Sequence, residues 1–172
     1  MEKTIDTKAF RTLSYGLYIV TSVCKDKANG QIANSVFQVT SSPPTLAVCI
    51  NKDNLTHHCI RESGVFAVSV LEEETPLKFI GQFGFKSGKE IDKLAGVNCL
   101  KGTTDCPLVT EHAVAVFEVK VRQQLDVGTH TLFVGEVTRA KTLNNHSPLT
   151  YAAYHVKKRG KTPPKAPTYQ AE

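Results

Sequence analysis

The strongest constraint on this chain is a succession of short runs rich in β-branched and aromatic residues, each closed by tight-turn residues. Leu17 to Cys24 reads Leu-Tyr-Ile-Val-Thr-Ser-Val-Cys and runs into a polar stretch whose Asn29-Gly30 pair is a strong hairpin-turn signal. Gln31 to Thr40 alternates imperfectly through Ile32, Ser35, Phe37 and Val39, and Ser41-Ser42-Pro43-Pro44 separates it from the apolar run Thr45 to Ile50. Val65 to Leu71, Ala113 to Leu125 and Leu132 to Val137 complete the set, the last two joined by the turn Asp126 to Thr129 and expected to pair antiparallel.

Few helices interrupt these runs. Thr56 is placed to cap His57 to Ser63, which Gly64 stops, and Thr75-Pro76 opens a second helix toward Gln82. Ile91 to Thr110 is expected to give a short helical turn and then irregular chain, because Gly96, Asn98, Gly102 and Asp105 recur without a period. Short strands joined by tight turns point to an antiparallel barrel rather than a parallel doubly wound sheet. No G-x-G-x-x-G follows any strand.

Composition sets the class. With 172 residues, 41% hydrophobic and 22% charged, the chain suits one soluble core. Met1 to Arg11 is charged and polar, and no run approaches the roughly 18 apolar residues of a membrane span, so a cytoplasmic protein without membrane contact is expected. Cys24, Cys49, Cys59, Cys99 and Cys106 are odd in number and lack paired short spacing, which argues against a disulfide framework or a zinc site. His57 and His58 are adjacent and poorly placed to share a helix face, so no metal site is assigned. Much of the net charge of +5 sits in a tail, residues 157–172, beyond a body of residues 1–156. The tail's prolines Pro163, Pro164 and Pro167 favour an extended strap that is solvated or crosses to another subunit. Its lysines are the sole basis for nucleic-acid binding, and no such partner is assigned.

Several stretches could carry chemistry, each with a plain alternative. Ile50-Asn51-Lys52-Asp53-Asn54-Leu55-Thr56 joins a strand to a helix start, where free amides, Thr56 and Lys52 would suit a phosphate; equally, Thr56 or Asn54 caps the helix and nothing more. Gly84-Phe85-Lys86-Ser87-Gly88-Lys89 resembles a phosphate cradle but lacks the Walker order, and a solvated loop would look the same. Ala33 to Thr40 sets polar groups within a strand, either against a planar heterocycle or as an edge facing water. His130, after the turn and before an apolar strand, is placed to act as an acid, hydrogen-bond donor or stacking group.

In combination and in this order, Leu17 to Ser22, Asn29-Gly30 through Asn34 to Thr40 with Pro43-Pro44, Asn51 to Ile60, and Asp126 to Val137 resemble the flavin reductase family. The likeness covers about residues 9 to 156 and is greatest to flavoredoxin and the reductase module of high-molecular-weight rubredoxin. It implies a mainly β fold, a six-stranded antiparallel split barrel with a few short helices, and a homodimer that binds FMN noncovalently. NADH or NADPH would be the electron donor, and rubredoxin or another protein an acceptor.

The resemblance also assigns residues. It maps ring contacts onto Asn34, Ser35, Val36 and Phe37, with further contacts from Cys49, Ile50, Asn51 and Lys52. Thr56 matches the phosphate threonine, Lys89 or Lys86 the phosphate lysine, and His130 the histidine beside the flavin, with Tyr169 as a tail aromatic over the ring. Thr129 departs from the pattern, since many members carry aspartate there, and no pair of Cys-x-x-Cys motifs marks a fused rubredoxin. The rival readings are a noncatalytic flavin or haem-binding split barrel serving as carrier or sensor, and chemistry like that of pyridoxamine phosphate oxidase.

Overall fold

The computed structural model describes residues 5–25 and 27–170. A 3₁₀ turn, Thr7–Thr12, precedes β1 (Tyr18–Cys24), β2 (Lys27–Ala33), β3 (Val36–Ser41) and β4 (Pro44–Asn51). Then come α1 (Leu55–Ser63), β5 (Val65–Leu71), α2 (Leu77–Gly84), β6 (Cys99–Lys101) and β7 (Pro107–Val109). The long pair β8 (Ala113–Asp126) and β9 (His130–Thr142) is followed by α3 (Tyr151–Val156).

Seven strands form one antiparallel sheet in the order β2-β1-β5-β8-β9-β4-β3, and β6-β7 is a separate hairpin. No ladder joins the outer strands β2 and β3 among the described residues, so the barrel is split there. Across the split, β2 comes within contact distance of β4. Side chains alternate between two cores, as the two-residue period of a strand requires. Val20, Val48, Ile50, Phe66, Val68, Val119 and Phe133 form one core with Ile60 of α1. Leu17, Ile19 and Leu71 join Phe79, Ile80 and Phe83 of α2 and Tyr154 of α3 in the other.

Every expected strand is present, with five local corrections. Asn29-Gly30 is not a turn: both lie inside β2, opposite Ser22 and Thr21, and the chain reverses nearer Lys25, whose φ is 50°. Packing overrides the dipeptide signal, since a Cβ on Gly30 would press against Thr21 and Phe83. The run Gln31 to Thr40 breaks at Asn34-Ser35, where Ser35 turns its Oγ and carbonyl to Cys49, and this makes seven strands of six. Asn54 rather than Thr56 occupies the cap position of α1, and Thr75 bonds the Glu72 carbonyl instead of capping α2. Within the stretch expected to be irregular, β6 and β7 pair, with strands too short to show a period. Gly64 ends α1 in the left-handed conformation as expected, at φ 69°.

Candidate functional site

The split places polar backbone and short polar side chains where a continuous sheet would have none. A pocket of about 540 Å³ lies there, within the roughly 300–1,000 Å³ typical of small-molecule sites. β2 and its exit supply Asn29, Gln31 and Asn34, β4 supplies Cys49 and Asn51, and the first turn of α1 supplies Leu55 and Thr56. The end of α2 and the following loop add Phe83, Lys86, Gly88 and Lys89, while Pro163 to Pro167 of the tail cover it.

Asn29 and Thr56 form one anchor. Thr56 is fully buried, and its Oγ1 accepts from Asn29 Nδ2 at 2.8 Å. Asn54 makes no side-chain cap, so the first amides of α1 have no side-chain acceptor and present the positive end of the helix dipole. Gly88 packs directly on Asn29, and a Cβ there would collide with the Asn29 amide, which explains a glycine at that point of the loop.

Lys93 is a second anchor, and it is missing from the sequence reading. It is only 5% exposed, and its Nζ donates to the carbonyls of Gly30 and Phe83, each at 3.0 Å. Burial pulls its pKa down to about 8. An ammonium carries three donors, so one remains for a ligand in the pocket that Lys93 lines. A lysine in a turn beyond α2 gives no sequence signal of its own; only the fold turns it inward.

Gln31 Oε1 and Asn34 Oδ1 are buried without hydrogen-bond partners, although both side chains line the pocket. Buried orphan acceptors of this kind cost about 1–3 kcal/mol each unless a ligand donor meets them. Asn34 follows Asn29 by five positions, which at about 3.3 Å per residue is roughly 16 Å of strand. The pocket therefore suits an elongated ligand, anionic near Thr56 and bearing hydrogen-bond donors near Asn34.

The flavin reductase like domain model matches residues 10–160. The chain belongs to that family. A ferric-chelate reductase (NAD(P)H) of Archaeoglobus fulgidus is 56% identical over 96% of this chain and 98% of its own length. A high molecular weight rubredoxin of Moorella thermoacetica is 53% identical over 96% of this chain and 72% of its own. Among solved structures, the NADH:FAD oxidoreductase SgcE6 of Streptomyces globisporus superposes with a TM-score of 0.78 at 28% identity, covering 88% of this chain and 93% of that one. The resemblance read from the sequence stands, as does the mainly β fold.

A flavin fits this family member's pocket on the donor set alone: helix amides and lysines for a phosphate, and orphan acceptors for the N–H of a heterocycle. Of the residues read from the sequence, Asn34, Cys49, Asn51, Thr56, Lys86 and Lys89 line the pocket together. Burial pushes the Cys49 thiol pKa up, which keeps it neutral. Ile50 is buried in the core, and Ser35 binds the Cys49 carbonyl and so shapes the wall from behind. Val36 and Phe37 lie on a different, apolar groove with Tyr18 and Phe117. Lys52 pairs with Asp126 at 2.6 Å, and that ion pair holds the Asp126 carboxyl below its usual range.

His130 stands opposite Asn51 at the start of β9, with Nδ1 on Thr129 Oγ1 at 2.8 Å. Its Nε2 lies 3.2 Å from the Lys165 carbonyl, so it touches the covering strap rather than the pocket wall. The strap is not the extended segment that its prolines imply: it folds over this chain's own pocket through two successive turns, with the Ala166 N–H on the Pro163 carbonyl and the Tyr169 N–H on the Ala166 carbonyl, each at 3.0 Å. Asn34 Nδ2 donates to Thr168 Oγ1 at 2.7 Å, Tyr154 donates to the Lys161 carbonyl, and Tyr151 bonds Thr162 and Thr168. Tyr169 is 43% exposed and outside the pocket lining. Prolines, not the tail aromatic, form the cover.

Proposed function

We propose that this protein is an NAD(P)H-dependent flavin reductase that holds FMN in the split-barrel pocket and passes electrons to a separate acceptor of rubredoxin type. The observation that carries the reading is one elongated pocket joining the α1 amides, Thr56 and lysines to the unpaired acceptors of Gln31 and Asn34. Bound FMN would supply a ring that takes hydride from a nicotinamide. The residues of the chain supply the rest. Thr56, Lys89 and Lys93 hold the phosphate by charge and hydrogen bonds. Asn34 and Gln31 orient the heterocycle, and the strap excludes water from it. His130 lies at the rim, where it steadies the strap and orients the nicotinamide.

A homodimer in the cytoplasm completes the proposal. Phe37 and Val39 on edge strand β3 are 53% and 46% exposed beside the apolar groove, an edge that a second copy would cover. Among the described residues, no helix is long and apolar enough to cross a membrane.

The deciding experiment is the absorbance spectrum of the purified protein, followed anaerobically after NADH and then NADPH. Bleaching of a flavin band within seconds is expected. A band that persists with both donors indicates a carrier instead, and protein that takes up no added FMN refutes the flavin site itself. Thr56→Val, which keeps the shape but loses the hydroxyl, is expected to weaken FMN binding by about fivefold, the scale of one net hydrogen bond. Titration of apoprotein with FMN measures it.

A further inference from the structure

We infer that Cys24, His58 and Glu62 form a binding site for a borderline-soft divalent cation of the zinc class, separate from the flavin pocket. Cys24 is the last residue of β1, and His58 and Glu62 stand one turn apart on α1. Cys24 Sγ lies 3.4 Å from Glu62 Oε2, and His58 Nε2 lies 3.7 Å from the same oxygen. All three donor atoms are within 4.8 Å of one another. Tetrahedral zinc, with bonds of about 2.3 Å to sulfur and about 2.0–2.2 Å to nitrogen and oxygen, sets its ligands roughly 3.4–3.6 Å apart. The Cys24–Glu62 separation falls within that spacing and the His58–Glu62 separation exceeds it by about 0.1 Å, so a cation needs only small side-chain rotations.

The backbone around the site is fixed. Ser22 Oγ bonds the Val65 carbonyl and Ser63 Oγ, tying β1 to the end of α1, and Gly64 closes the helix. Neighbouring His57 points the other way, with Nε2 on Thr131 Oγ1 at 2.8 Å, which leaves His58 as the outward imidazole. Its side chain is 70% exposed, so a cation has a path from solvent and a fourth position for water. Thiol, imidazole and carboxylate together suit zinc or cobalt over magnesium or calcium, which take oxygen ligands. Binding would release the thiol proton to solvent and fasten the helix that carries Thr56. Sequence spacing concealed the set because Cys24 is remote from α1 along the chain. The plain alternative is a surface ion pair beside a thiol.

Cobalt(II) titration of the full-length, chelator-treated protein tests the site, read in the red absorption bands of tetrahedral cobalt that lie clear of flavin. One equivalent per chain is expected, displaced by zinc. Cys24→Ser and His58→Ala should each weaken binding by more than about tenfold, the scale produced by loss of even an outer partner of a metal ligand. Cys99→Ser, which removes the exposed thiol outside the cluster, should leave binding unchanged. Unchanged flavin content and far-ultraviolet circular dichroism establish that the variants are folded. Equal cobalt binding by Cys24→Ser, or no stoichiometric binding by the wild type, overturns the proposal.

Discussion

Between about pH 8 and pH 10.5, the wild-type protein is expected to gain up to about 3 kcal/mol of stability that a Lys93→Met variant does not gain. The unfolded chain holds the Lys93 proton to about 10.5, and the fold holds it only to about 8, because burial penalises the ammonium. Between these values unfolding takes up a proton, so stability rises with pH; below 8 both states are charged and the penalty is constant. Methionine fills similar volume without a titrating group. It also leaves the Gly30 and Phe83 carbonyls without their donor, which offsets part of its advantage at low pH. Urea denaturation of both proteins across this range checks the prediction, since cysteines and tyrosines common to both cancel in the difference. Parallel profiles would show that Lys93 titrates normally. Saturating FMN should move the wild-type step to higher pH, because a phosphate beside Lys93 favours its ammonium.

The strands were legible because their signals are local. Leu17 to Cys24, Val65 to Leu71 and the paired runs ending at Asp126 and starting near Leu132 each carry their own period and turn chemistry. Asn29-Gly30 misled for a physical reason. The glycine is required by close approach to Thr21 and Phe83 inside β2, a contact between elements that no local pattern reports. The break at Asn34-Ser35 was hidden in the same way: alternation continues across it, while the hydrogen bonds pass from β1 on one side to β4 on the other.

The site was legible where a resemblance fixed positions, and less so where side-chain direction decides. Asn34, Cys49, Asn51, Thr56, Lys86 and Lys89 converge on one pocket although they come from four separate stretches. Ser35 and Val36 follow Asn34 directly, yet one braces the wall and the other joins a different groove, because the chain breaks at Asn34-Ser35 and Val36 begins the new strand β3. Gln31, Asn29 and Lys93 escaped notice because polar residues in a strand or loop read as solvent-facing until the fold buries them.

Ending the chain after Gly160 is expected to weaken FMN binding by tens of fold while leaving the core intact. Leu149 and Tyr154, which the core requires, precede that point. The strap residues Pro163 to Pro167 cover the pocket, and removing them would expose on the order of 100 Å² of bound ring, or about 2.5 kcal/mol at 25 cal/mol per Å². That energy is about seventyfold in affinity. His130→Ala removes one strap anchor, the contact to the Lys165 carbonyl, while Asn34 and Tyr151 still hold Thr168. It should therefore cost much less affinity than truncation. Two measurements on His130→Ala separate the histidine's roles. Slower reduction by NADH at unchanged FMN content places its action on the nicotinamide. Reduced FMN content with normal reduction of the bound fraction confines it to the strap. Full-affinity binding by the truncated chain would mean that the strap contributes nothing to holding the flavin, and the pocket would then rest on the barrel walls alone.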